Sequence, residues 1–147
     1  MGQQQLLLLT LSIVIVGLAT VVGISMFSEN RVKANADAAV LGGLRIISAC
    51  QVWALKPELV GGMPAGLTLA DCDFDNLGFS NSGGVYTSLD GDYSFSTSHA
   101  CSAAPVIPSG RPALLYLNFN NADTGINVCM GLAGTQAGDI GTKVDYP

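Results

Sequence analysis

The chain has 147 residues, a formal net charge of -5, 18 glycines, and charged side chains at only 12% of positions. That length accommodates one long element and one small domain. Without a basic patch to neutralise phosphates the negative balance argues against nucleic acid as a partner, and so few charges are thin for a soluble enzyme.

The charge is also uneven, because none of it lies in MGQQQLLLLTLSIVIVGLATVVGISMFS, the first 28 residues. Within it, Leu6 to Phe27 carries polar side chains only at Thr10, Ser12, Thr20 and Ser25. As a helix this stretch is about 33 Å long, close to the roughly 30 Å hydrocarbon core of a bilayer. Gly17 and Gly23 weaken a helix in water but suit close helix approach in an apolar setting. A helix apolar on every side must be covered on every side, by lipid or by protein. A cleaved export signal is disfavoured: the start has no lysine or arginine, and no small-x-small exit follows.

Beyond Ser28 the chain turns polar while keeping helical spacing. Val32, Ala36, Ala39, Val40, Gly43, Leu44 and Ile47 fall on one face, and Arg31, Asn35, Ala38, Gly42 and Arg45 on another. The spacing predicts one helix from near Gln3 to about Cys50, roughly 70 Å long. Residues 1–28 form its protruding apolar half. Residues 29–52 form an amphipathic half that packs on a head of residues 53–147.

In these first 50 or so residues the chain resembles type IV pilins and related filament subunits. The resemblance implies an α+β fold, a long N-terminal helix with a small, disulfide-stapled antiparallel β-sheet head. It implies an apolar half that anchors the subunit in the inner membrane and later fills a filament core. The core-forming residues would be Gln5, Leu6, Leu7, Leu9, Ile13, Val14, Val16, Gly17, Val21, Gly23, Ile24 and Phe27. Two positions depart from the family pattern. With Met1 as the first mature residue, Gln5 stands where these subunits carry a glutamate, and an amide cannot form an ion pair with a neighbouring amine. The helix proline found about 22 residues into such subunits is replaced by Val22 and Gly23. The family's leader peptidase cuts after a glycine; Met1 or a residue beside it is the preferred mature start, with cutting after Gly2 the alternative.

In the head, Lys56-Pro57 ends the helix. Gly61, Gly62, Pro64 and Gly66 predict a loop with one short strand around Leu67 to Leu69. GVYTSL and DYSFSTS read as a hairpin about Asp90-Gly91, with Phe95 as its main core anchor and Tyr93 beside it. PALLYLNFN is a central strand placing Leu115, Leu117 and Phe119 on one face and Leu114, Tyr116 and Asn118 on the other. After a turn from Asn121 to Gly125, GINVCMGL places Ile126, Val128 and Met130 on one face and Asn127 and Cys129 on the other. These strands make a three- or four-stranded sheet that buries one face against the helix stripe. The cysteines at 50, 72, 101 and 129 lack metal-ligand spacing and read as two disulfides in an oxidising compartment. Three pairings are open. Cys50–Cys72, tying the helix end to the next loop, and Cys101–Cys129, stapling a strand edge to a loop, are preferred.

The residues nearest to a chemical site are in DCDFDNLG. On a strand-like segment Asp71, Asp73 and Asp75 would point one way, as in an oxygen cluster for calcium. The turn glycine and closing glutamate of a calcium loop are missing, so a solvated loop is the preferred reading. His99 has no nucleophile elbow to serve and is assigned a structural or surface role. Trp53 and Tyr146 are assigned to packing or interfaces. No C-x-x-C-H haem motif is present, and no cofactor or enzymatic activity is expected. The expected function is therefore the major subunit of a prokaryotic extracellular pilus-like filament, for example in cell adhesion. Its partners would be identical copies, the inner membrane before assembly, and the assembly machinery. The alternative is a bitopic membrane protein with a small exported scaffolding or sensing domain.

Overall fold

In the computed structural model, which describes residues 2–147, the chain is α+β: one long N-terminal helix and a five-stranded antiparallel sheet. Met1, read above as the mature start, lies outside the described residues. Helix α1 spans Gly2–Leu55, ending at Lys56-Pro57 rather than near Cys50. The chain divides into two compact units, residues 1–34 and 35–147.

In the second unit, the buried stripe of α1 is Ala36, Ala39, Gly43, Ile46, Ile47, Cys50 and Trp53. Steps of three and four put these residues on one helical face. Val40 and Leu44, assigned to this face from the sequence, are only half-buried, and the stripe extends one turn further through Trp53. Small residues let the sheet come close. A Cβ at Gly43 would meet the Met130 sulfur at 2.7 Å, and one at Gly42 would collide with the Tyr93 hydroxyl. Gly42 therefore belongs to the sheet contact, not to the opposite face where its spacing had placed it.

The strands run in chain order across the sheet: β1 (Val85–Thr87), β2 (Asp92–Ser96), β3 (Leu115–Asn121), β4 (Ile126–Leu132) and β5 (Ile140–Asp145). Antiparallel register pairs Tyr93 with Phe119 and Phe119 with Val128. Phe95 pairs with Leu117, and Leu117 with Met130. Alternation then puts all of these side chains on the face that meets α1. Within the hairpin the burial order is reversed from expectation. Tyr93 is 2% exposed, whereas Phe95 is half-buried against Phe74, ring centroids 4.6 Å apart. Tyr93 lies under α1 and donates its hydroxyl to the Ala39 carbonyl at 3.1 Å. The turn between β1 and β2 needs its glycine, because Gly91 has φ 151° and a Cβ there would strike the Asn120 carbonyl and the Phe119 ring.

Three further expectations are corrected. The sheet has a fifth strand, β5, which pairs with β4 over Asn127–Leu132. No strand forms at Leu67 to Leu69. Thr68 and Asp71 make a reciprocal capping box, which starts a 3₁₀ turn at Leu69–Asp71 instead. The second sheet face is also covered, by the loop of residues 97–114. Pro105 and Ile107 of that loop are buried, and a Cβ at Gly131 would meet Pro105 at 3.1 Å. Asn118 on this face is 9% exposed, accepting from the Ala100 N–H and donating to the Ser98 carbonyl, each at 3.0 Å. Disulfides Cys50–Cys72 and Cys101–Cys129 join α1 to the following loop and the 97–114 loop to β4.

Candidate functional site

The segment Leu6 to Phe27 is the first candidate. Six leucines favour a helix, no proline interrupts, and an apolar surrounding forces the backbone of the many β-branched residues to bond within the helix. Its large side chains are exposed around the whole circumference, from Leu6 at 66% to Phe27 at 80%. The helix is long and apolar enough to cross a membrane, and none of its apolar window is buried within the chain. The residues expected in a filament core, from Leu6 through Ile13, Val14 and Val21 to Phe27, all lie on this exposed helix. At Gly17 and Gly23 a Cβ would have nothing within 4 Å, so packing inside the chain does not require either glycine.

The four hydroxyls of the segment all turn back on their own helix. Thr10 donates to the Leu7 carbonyl at 3.0 Å and Ser12 to the Leu9 carbonyl at 2.8 Å. Thr20 donates to the Val16 carbonyl at 2.7 Å and Ser25 to the Val21 carbonyl at 2.9 Å. Each donor is thereby satisfied without water, as an apolar environment demands. Gln5 is exposed, and its amide makes no side-chain hydrogen bond among the described residues. The architecture, a long apolar helix with a small β head, fits a filament-forming or membrane-associated subunit.

In the aspartate run, Asp71 and Asp73 lie at turns and Asp75 in a short helix, not on the strand-like segment that would point all three one way. Asp71 accepts from the Thr68 N–H at 2.7 Å and the Thr68 hydroxyl at 2.8 Å. Those hydrogen bonds, the backbone one foremost, hold its carboxyl below the usual range. Asp73 caps the short helix α2 (Phe74–Leu77) through the Asn76 N–H at 2.8 Å, and Asp75 accepts from the Asn81 amide at 2.7 Å. Among the described residues no group of three His, Cys, Asp or Glu side chains is placed to hold a metal.

His99 sets its ring edge-on to Tyr116, centroids 5.5 Å apart, with Nδ1 3.1 Å from the Cys101 carbonyl. Trp53 is buried as the last residue of the helix stripe, whereas Tyr146 is exposed near the chain end. Comparison with protein-family models, characterised proteins and solved structures finds no match to this chain.

Proposed function

We propose that the chain is the major structural subunit of an extracellular type IV pilus-like filament and polymerises through its apolar N-terminal helix. The observation that carries this reading is the segment Leu6 to Phe27, apolar around its circumference with every hydroxyl satisfied on its own backbone. Such a helix can exchange lipid for protein neighbours without making or losing a polar contact. Association then draws on close packing and on small residues such as Gly17 and Gly23, since lipid and leucine are equally apolar. A contact between different faces of successive copies does not close, and generates an open helical array.

The inner membrane holds the subunit before assembly, and identical copies replace lipid afterwards. Gln5 takes a neutral hydrogen-bond partner on a neighbouring copy. The head forms the outer surface, and the protein's work is mechanical, without catalysis or cofactor. The resemblance of the first 50 residues to pilins supports this reading, as does the amphipathic continuation of α1 into the head.

One observation favours a second reading, a bitopic membrane-anchored protein. Arg31 and Lys33 follow the apolar span, are exposed, and make no ion pair among the described residues. Flanking cations of this kind hold an anchor at the membrane surface. Shearing the producing cells separates the two readings: filaments containing this chain in the sheared fraction support the first, and retention of the whole population in the membrane supports the second.

A further inference from the structure

The sheet face turned away from α1 holds a polar cleft of about 570 Å³, within the range of small-ligand sites. Its wall is rigid. Asn118 spends its amide holding the Ser98–Ala100 segment, and the Cys101–Cys129 disulfide fixes the same loop to β4. Ser96 and Ser98 pair with each other through their hydroxyls, and the remaining polar groups keep some hydrogen-bonding capacity free.

Asp92 lines the cleft, is exposed, and its carboxylate makes no side-chain hydrogen bond or ion pair among the described residues. Asn120 donates its amide to the Asn127 carbonyl oxygen at 2.8 Å, which leaves the Asn127 NH₂ as a double donor and the Asn120 oxygen as an acceptor. The carbonyl that faces His99 Nδ1 can only accept, so Nδ1 donates to it, and in the neutral ring Nε2 is then an acceptor. Ser94 adds a hydroxyl able to donate or accept. No lysine or arginine lines the cleft, and Asp92 repels anions.

We propose that this cleft binds a neutral saccharide. Adjacent sugar hydroxyls each donate and accept, and require a mixed set of fixed donors and acceptors with no net positive charge. Asp92 and His99 Nε2 accept, the Asn127 amide donates, and Asn118 is a positioning residue that holds the wall. That the cleft lies on the filament's outer surface rests on the filament reading, in which Leu6 to Phe27 form the core and the heads the outside. Its chemistry does not.

The test uses the full chain, labelled with ¹⁵N, in dodecylphosphocholine micelles, a detergent without sugar. The probes are the methyl glycosides of glucose, galactose, mannose and N-acetylglucosamine, with N-acetylneuraminic acid as an anionic control. The expected result is a saturable shift of the Ser94, His99 and Asn127 amide signals with at least one neutral glycoside and none with the acid. Asp92→Asn and Asn127→Ala should each weaken binding about tenfold, the loss of one strong hydrogen bond, with Ile47 and Trp53 signals unchanged as proof of the fold. No saturable shift at these residues up to about 50 mM, well above a millimolar Kd, overturns the proposal. So does equal binding of the acid, or binding indifferent to both substitutions. Because the micelle test reads the cleft and not assembly, a failure here leaves the filament reading standing, and filament failure in the shearing experiment leaves this one standing.

Discussion

Tyr93 joins the helix to the sheet through one hydroxyl and one ring. Its ring lies 4.8 Å from that of Phe119 and its hydroxyl donates to Ala39. Burial first, then the charge of Asp90, pushes the phenol up to about 12. In the unfolded chain it ionises near 10, so its contribution is complete below that pH and is lost between about 10 and 12. Tyr93→Phe should cost about 1 kcal/mol at neutral pH and flatten this alkaline loss. Denaturant unfolding followed by the single Trp53 measures both, and curves that run parallel for the two proteins would contradict the assignment.

Asp139 gives the opposite limb. It is 2% exposed, and the Ser109 side chain holds its carboxyl down against the effect of burial, helped by the Gln136 N–H and by Arg111 at 3.6 Å. A depressed carboxyl stabilises the fold above its ordinary value of 3.8 and stops doing so as pH falls through its folded value. The head should therefore weaken below about pH 4. Asp139→Asn should be less stable at pH 7 and lose less on acidification. An unchanged acid limb in that variant would count against it. Neither residue was legible in the sequence as a key position. Alternation puts Tyr93 and Phe95 on one face, but only the close seat of Gly42 decides which of them lies deeper. Asn118 lay on the face away from the expected helix contact, and only the loop that covers it makes it a buried anchor.

At the scale of elements, α1 was legible because its apolar pattern is dense and Lys56-Pro57 marks its end. β3 and β4 were legible because alternating Leu, Phe, Ile and Val leave little choice of face. β5 was not: Gly141 and Lys143 interrupt its only strong β-formers, and its place comes from pairing with β4. Gly141 is there for space, since a Cβ would meet the Val106 carbonyl at 2.5 Å. The strand expected at Leu67 gave way to the Thr68–Asp71 capping box, a local hydrogen-bond pattern that outweighed a few β-forming side chains. Two of the glycines of α1, Gly42 and Gly17, should separate folding from assembly. Gly42→Leu must displace Tyr93 and should destabilise the head by about 1–3 kcal/mol. Gly17→Leu meets nothing within the chain and should leave the Trp53 unfolding midpoint unchanged while lowering the yield of sheared filament. Equal filament yields from Gly17→Leu and the native chain would remove close helix packing from the account.

Across the whole molecule, composition separates the tasks. Residues 1–28 carry no charge, residues 29–56 carry four basic and two acidic side chains, and the rest carries nine acidic and two basic. Both disulfides lie beyond the apolar segment, inside the unit of residues 35–147. Each closes a chain separation of 22 or 28 residues, and each contributes about 3–4 kcal/mol in the chain-entropy picture. The head is thus stabilised by its own core and staples, which leaves the apolar helix available to an external partner. The exposed circumference, the self-satisfied hydroxyls and the open Gln5 amide are the features that an assembled state must accommodate.

Electron cryo-microscopy of filaments sheared from producing cells, with density traced to the first residue, tests that requirement most directly. The account predicts a helical polymer whose core is built from Leu6 to Phe27 of neighbouring copies, with the Gln5 amide hydrogen-bonded to a polar group on an adjacent subunit. A sheared fraction without such filaments, with the chain monomeric in the membrane and Leu6 to Phe27 surrounded by lipid, would contradict it.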